Sequence, residues 1–370
     1  MAAGDDVTLA LCGDVMLGRG IDQILPSPGD PRLYESHMDS ALGYVRLAEA
    51  AHGIMPRGVS FHYVWGDMLA DLEKSRPQAR IANLETSITT SDTPVPKGIN
   101  YRMHPANVGC LTAAAFDCCV LANNHVLDWD TEGLLETLAT LEDAGIGFAG
   151  AGRHAAEAAQ PATIDIAGTR RVLVYGYGAR SSGIPRNWAA TEQRPGVNLL
   201  ADLSPATAER IASHVATLRR AGDLVVVSIH WGTNWGYQVT EEQRAFAHAL
   251  IDAGACDLVH GHSSHHVRPI EVYCERLILY GCGDFINDYE GISGYEQYRG
   301  DLTLMYLPRL SHDGAISELT LLPYRIRRFR LSHAGREDAA WLRATLDRES
   351  LPLGCRIALH GDRRLAARWT

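Results

Sequence analysis

The chain of 370 residues is 46% hydrophobic and 21% charged, the balance of a globular enzyme and not of a disordered or fibrous chain. Its 34 Lys+Arg against 44 Asp+Glu leave a formal net charge of −10, which argues against a nucleic-acid partner. No apolar run reaches the roughly 18 residues of a membrane span, and the N-terminus lacks a basic region with a cleavage site, so a cytoplasmic protein with no membrane partner is expected. None of the eight cysteines forms CxxC or CxxH, so neither a thiolate zinc site nor a disulfide framework is expected.

Taken in order, strand-like runs alternate with helical patterns. Val7–Cys12 ends in Gly13-Asp14, Ala79–Ala82 in Asn83-Leu84-Glu85, and Cys118–Ala122 in Asn123-Asn124-His125. Thr131–Ala144 follows as a helix with Leu134, Leu135, Leu138 and Leu141 on one stripe, Asp130-Thr131 as its expected N-cap and Gly145 as its stop. Arg171–Tyr177 is the next strand, then a helix over Pro205–Ala221. Leu224–Ile229 ends in His230, and Glu241–Ala253 is helical. Asp257–Val259 ends in His260-Gly261-His262, and Leu277–Tyr280 ends in Gly281-Cys282-Gly283-Asp284. Continuous Val/Ile/Leu runs mark strands buried on both faces. Two stretches depart from this pattern. Residues 21–63 form a Gly/Pro-interrupted insertion, expected as a lid with local helices such as Asp39–Ala51. Beyond Asp301 the chain turns β-rich (Asp301–Leu307, Ile316–Tyr324), with a helix near Glu337–Arg348 and an unassigned tail from Leu353. The expected division is a catalytic domain over 1–325 and a C-terminal extension over 326–370.

Six of these strands are followed at once by residues able to bind a metal. In open α/β sheets ligands bind at the carboxyl ends of strands, so these side chains converge on one edge. A two-metal hydrolytic site needs a bridging carboxylate, terminal oxygen or imidazole ligands, and ions about 3.5–4 Å apart. Asp14 and Glu85 offer carboxylates, Asn124 a neutral oxygen, and His230, His262 and His265 imidazoles. His125, with Asp128 three residues on, is a histidine held by a carboxylate and a candidate proton donor. Nitrogen and oxygen donors suit manganese, zinc or iron alike.

The segments GDVMLGR (13–19), ANLETSIT (82–89), ANNHVLD (122–128), IHWG (229–232), HGHSSHHVRPIEVY (260–273) and LILYGCGDF (277–285) occur in the order seen in the CapA family. This is the poly-γ-glutamate capsule-synthesis group of the calcineurin-like metallophosphoesterase superfamily, and the chain resembles it from about Val7 to Phe285. The resemblance implies an α/β fold, a metallophosphoesterase-like β-sandwich flanked by helices in four αββα layers, with one or two divalent metal ions. It implies Asp14 on the first metal, Asn124 and His230 on the second, His262 and His265 as a closing pair with one for each, and His125 as the catalytic outer-sphere histidine. Glu85 is the candidate bridging carboxylate by its chemistry.

Three departures are visible. Met16 stands where the superfamily has the histidine of Asp-x-His, Glu85 replaces the Gly-Asp-x-x-Asp motif, and the closing pair is His-x-x-His. They point away from ordinary phosphomonoesterases, toward a metal-dependent hydrolase in which metal-bound hydroxide attacks a γ-glutamyl or peptide-like amide of a small or oligomeric anionic substrate. The alternatives are a phosphoesterase, or a non-hydrolytic partner in polyglutamate or metabolite assembly. His260, His266 and Asn123 are expected as structural, and Trp231 and Trp235 as packing. Asp284 and Asn287 stand between support and function. Gly150-Ala151-Gly152 is half a dinucleotide fingerprint and carries no cofactor expectation. Arg19, Arg102 and Arg268 lie near motif ends and are weighed as anion contacts against a surface role.

Overall fold

In the computed structural model, which describes residues 6–166 and 170–369, the apolar runs become strands of two large sheets. In the first, Val7–Val15, Ala79–Leu84, Cys118–Val120 and Gly147–Ala149 lie side by side and parallel. On the other flank of Val7–Val15 the sheet continues antiparallel through Leu302–Leu310, Ile316–Ile326 and the hairpin of Cys355–Leu359 with Leu365–Trp369. The second sheet has Arg171–Gly178, Leu224–His230, Leu258–His262 and Arg276–Leu279 in parallel. Ala162–Asp165 and Ile270–Tyr273 close its two edges antiparallel.

Side chains alternate faces along a strand, so a run buried on both sides must serve two cores. Leu9 and Leu11 face the space between the sheets, where they join Val172, Val174, Val226 and Leu258. Ala10 and Cys12 point outward, to Leu134, Leu138 and Leu141 of the helix Asp130–Asp143. From the second sheet Leu173, Val225 and Val227 turn outward to Ile211 and Val215 of Pro205–Leu218 and to Phe246 and Leu250 of Glu241–Asp252. The result is the expected helix–sheet–sheet–helix stack.

One helix start differs from expectation. Trp129, not Asp130-Thr131, occupies the N-cap position, with no side-chain cap. Asp130 is the first helical residue at φ +56°, its Oδ1 accepting from Thr131 N at 2.7 Å. Trp129 is buried and its Nε1 donates to Tyr101 O at 3.0 Å, so aromatic packing fixes where this helix begins.

Residues 21–63 pack onto the body. Ile21, Ile24, Leu25, Val45, Ala48, Met55 and Val59 join the outer core, and the local helix spans Leu42–His52. Past 326, the helix Arg336–Ser350 sends Leu342 and Leu346 into the core between the sheets, and the tail from 353 supplies the hairpin at the sheet edge. The cysteines are free, and all but Cys274 are buried. Among the described residues no helix is long and apolar enough to cross a membrane.

Candidate metal centre

Strand register assembles the site. Asp14, near the end of its strand, pairs with Asn83 on one side and Asp284 on the other. In the second sheet His230 lies opposite His262, both as terminal strand residues. A bulge between Cys12 and Asp14 lets the Asp14 N–H donate to Gly283 O at 2.9 Å. A Cβ at Gly13 would stand 1.8 Å from that same Gly283 oxygen, so this approach requires glycine.

Three donors from the two sheets converge: Asp14, His230 and His262, all buried, offer atoms within 4.8 Å of one another. Asp14 Oδ1 is 4.0 Å from His230 Nδ1 and 3.8 Å from His262 Nδ1, and the two imidazole nitrogens are 2.8 Å apart. The carboxylate spacings exceed a hydrogen bond and fall just under twice a metal–ligand bond of about 2.1 Å. The other edge of His230 meets a second pair of oxygens. Its Nε2 is 2.8 Å from Asn124 Oδ1 and 3.9 Å from Glu85 Oε1, while Glu85 Oε2 is buried with no hydrogen-bond partner among the described residues. Neighbours fix the donors. Asn83 Nδ2 donates to Asp14 Oδ1 at 2.7 Å, Ser263 N to Asp14 Oδ2 at 3.1 Å, and Ser228 Oγ holds His262 Nε2 at 2.9 Å.

The electrostatics ask for a cation. Burial, then the charge of Asp284, raises the Asp14 carboxyl to about 7. Burial and then the charges of Asp14 and Asp284 raise Glu85 well above the usual carboxylate range. Burial pushes His230 and His262 far down, leaving both as neutral imidazoles, the form that ligates metals. Crowded buried carboxyls, neutral imidazoles and an orphaned carboxylate oxygen fit a divalent ion held by nitrogen and oxygen.

His265 stands apart from this trio. Its Nδ1 is 2.9 Å from Asp284 Oδ1, and Asp284 Oδ2 accepts from Asn287 Nδ2 at 2.8 Å. Burial works against its protonation, but Asp284 and then Asp14 outweigh that and raise its pKa.

His125 Nδ1 donates to Asp128 Oδ2 at 2.6 Å, which leaves Nε2 facing Glu85 Oε1 at 3.8 Å. Burial, partly countered by Asp128 and reinforced by Lys97, lowers this imidazole to about 4. Asp128 is held in turn by Lys97 Nζ at 2.7 Å and by Tyr101 N at 2.7 Å, and the Tyr101 ring meets His125 edge-on at 4.2 Å. Sequence reasoning missed Lys97 and Tyr101, which lie in a loop outside every motif. One signal was present: Lys97 is one of only two lysines in an arginine-rich chain.

The remaining residues take supporting places. Asn123 holds Asn83 Oδ1, Leu84 O and His125 N together. His260 bridges Ser228 Oγ and Cys12 O. His266 accepts from Gly236 N, and Trp231 is buried against Tyr280. Arg19 is consumed by Asp288 and Glu35, and Arg102 by the carbonyls of Ser91 and Asp30 and the face of Trp129. Beside His265 opens a cavity of about 550 Å³, walled among others by Trp235, Asn287, Tyr289, Tyr295, Arg299 and Arg325. The rings of Trp235 and Tyr289 lie 5.3 and 5.4 Å from the His265 ring, so this cavity opens beside His265.

The chain is similar to known proteins over most of its length. The family described as "Bacterial capsule synthesis protein PGA_cap" matches residues 8–289. A "Probable polyglutamine synthesis accessory protein" of Mycobacterium tuberculosis is 48% identical over 364 residues, 98% of this chain and 96% of that protein. The "PGA biosynthesis protein CapA" of Bacillus subtilis is 26% identical over 82% of this chain and 68% of its own length. The "Capsule biosynthesis protein CapA" of Bacillus anthracis is 24% identical over 87% and 68%. With six ordered motifs, a helix–sheet–sheet–helix body and a family match over most of its length, the chain belongs to the CapA family of bacterial capsule synthesis proteins.

Proposed function

We propose that this chain is a metal-dependent hydrolase that opens a γ-glutamyl or peptide-like amide in polyglutamate metabolism. The observation that carries this reading is one end of the sandwich, where strands of both sheets finish, bringing together a cation-competent set, Asp14, His230 and His262, and His125 fixed on Asp128. A divalent ion there, manganese, zinc or iron, would supply Lewis acidity and lower the pKa of a water. Asp14, His230 and His262 hold that ion, while Glu85 and Asn124 extend the donor set toward a second. His125, with Nδ1 committed to Asp128, presents Nε2 to the reacting group and moves a proton at that atom. Lys97 Nζ, 2.7 Å from Asp128 Oδ1, holds that carboxylate in place. The cavity beside His265 is the candidate substrate pocket: Trp235 and Tyr289 offer aromatic surface to methylenes, while its arginines, Arg299 and Arg325, are already paired with Asp301 and Asp338. The free, mostly buried thiols support a reducing, cytoplasmic setting.

The test is metal analysis of the purified protein beside cleavage of oligo-γ-glutamate. One or two ions per chain and measurable cleavage are expected, with both lost in Asp14→Ala and His230→Ala. Full cleavage by metal-free protein refutes the reading. A panel of phosphomonoesters and phosphodiesters with added manganese distinguishes the bond: turnover there, with none on the amide, assigns a phosphoesterase.

A second reading, a non-hydrolytic accessory that binds polyglutamate, is favoured by Met16. This buried thioether two residues after Asp14 offers hard cations a poor ligand. Tight oligoglutamate binding without cleavage, at less than one ion per chain, supports it.

A further inference from the structure

The three arginines near motif ends are enclosed. Arg19 is spent on Asp288 and Glu35, Arg102 on two carbonyls and the face of Trp129, and Arg268 is buried with Nη2 donating to Gln238 O. Open guanidinium groups gather elsewhere, at the tight turn that joins Ile316–Ile326 to Leu331–His333. Arg327 N donates to Arg330 O at 2.9 Å, and the two residues between them, Arg328 and Phe329, stand at φ +59° and +53°. A two-residue hairpin turn of this hand ordinarily carries Asn-Gly. Bulky side chains in the left-handed region persist only where the surroundings hold them. Phe329 provides that hold: its side chain is fully buried in the outer core, and its N–H donates to Glu290 Oε1 at 3.0 Å.

The turn brings three exposed arginines together. Arg327 and Arg330 face each other across the hairpin, and like charges so placed destabilise a strand pair. Little in the chain offsets them. Arg327 has no hydrogen-bond or ion-pair partner among the described residues, and Arg330 has only Asp67, at 4.0 Å. Arg328 Nη2 donates to a carbonyl, Ile54 O. Beside the turn opens a cavity of about 420 Å³, lined by Arg327, Arg328, Arg330 and Ser332 and, from the 21–63 insertion, by His52 and Tyr63. Tyr63 Oη donates to Arg328 O at 2.9 Å, which fastens the insertion to the turn. His52 also lines the cavity beside His265, so the two cavities adjoin at its ring.

We propose that the Arg327–Arg330 turn, with His52 and Ser332, is a second binding site of this protein, for the carboxylates of an extended polyanionic peptide. The inference rests on the polyglutamate reading above and deepens it: the ligand is a polymer with units in both cavities, and not a single small acid. A chain of net charge −10 repels a polyanion as a whole, so holding one requires a local cluster of opposite sign. Guanidinium groups pair with carboxylates through two parallel N–H bonds, and Arg327 has its whole fork free for this among the described residues. The arginines of the cavity beside His265 are already paired, so the turn is where a ligand's carboxylates find open partners. The insertion then has a task beyond covering the body, since it forms part of the groove wall.

The test is fluorescence anisotropy of a labelled oligo-γ-glutamate, about ten residues long so that it can span both cavities, titrated with the full chain. Arg327→Gln combined with Arg330→Gln is expected to weaken binding about tenfold, the loss of two exposed ion pairs, and to flatten its dependence on salt. Equal affinity in wild type and double variant overturns the proposal. So does binding of tripolyphosphate that needs these arginines when oligo-γ-glutamate does not bind, which assigns a phosphate site. Should the double variant fail to fold, Arg327→Gln alone decides, because that side chain has no partner to lose: weaker binding supports the site and unchanged binding refutes it. Cleavage of the same oligomer is measured alongside. Arginine-dependent binding without cleavage overturns the hydrolase reading and supports this site, whereas cleavage with arginine-independent binding overturns this site alone.

Discussion

Asp14 joins the fold to the chemistry, because the same carboxylate that bonds Asn83 and Ser263 also faces two imidazoles. Its pKa near 7 in the metal-free protein has a definite sign. Between about 4 and 7 the folded chain holds a proton at Asp14 that the unfolded chain has released, so this group's stabilisation fades as pH rises through that window. His125 and His260 act oppositely. Each sits near 4 when folded, against about 6.5 unfolded, so stability is lost as pH falls from about 6.5 toward 4. An entering cation must displace the Asp14 proton. The Tm gain from added manganese is therefore expected to be largest above pH 7 and to shrink below it, with affinity falling about tenfold per pH unit for one displaced proton. Thermal scans with and without manganese at pH 6, 7 and 8 check this, and a gain independent of pH contradicts it. Lys97→Met leaves the donor trio intact but removes the cation holding Asp128. We expect unchanged metal content and a rate of oligo-γ-glutamate cleavage reduced about 10–100-fold. Equal rates in the two proteins would remove Lys97 from the proposed machinery.

At the scale of elements, the bulge at Gly13 sets where Asp14 points. Gly13→Ala forces a Cβ onto the Gly283 carbonyl, which is backbone and cannot rotate away. The expected cost is about 1–3 kcal/mol, read as a lowered Tm, together with reduced metal content. Wild-type stability and metal in this variant would show that the close approach relaxes. Strands such as Leu224–His230 were legible in the sequence because burial on both faces forces an unbroken apolar run, and the first polar residue after it marks the strand end. Asp14, Glu85, Asn124, His230 and His262 could be found in that way. Lys97 and Tyr101 could not, since a loop's path over Asp128 leaves no periodic trace. The start of the helix Asp130–Asp143 was misplaced for a related reason: burial of Trp129 under Tyr101 prevailed over a local capping preference. His265 was read by spacing alone, and its engagement with Asp284 depends on a strand that begins 19 residues on.

Across the whole molecule, residues beyond 326 are part of the body's core. Leu342, Leu346, Cys355, Ile357 and Leu365 lie between the sheets, and Phe329 and Leu331 lie in the outer core. Each fully buried side chain of this size contributes roughly 1.5–3 kcal/mol, so their loss together reaches the 5–15 kcal/mol by which domains are stable. A fragment ending at Arg325 is expected to show no cooperative thermal transition and rapid proteolysis. A sharp transition in that fragment would instead establish 326–370 as a separable extension.

Asp14 lies in one sheet, with Glu85 and Asn124 in the segments that follow its strands, and His230 and His262 lie in the other. The donor set therefore straddles the seam of the sandwich. Sliding one sheet past its partner by a single residue, about 3.3 Å, would scatter the trio beyond the reach of one ion. Metal affinity in this protein is thus a gauge of sheet-to-sheet alignment. A cavity made at Leu11 or Val226, in the core between the sheets, should register at the metal without touching any ligand.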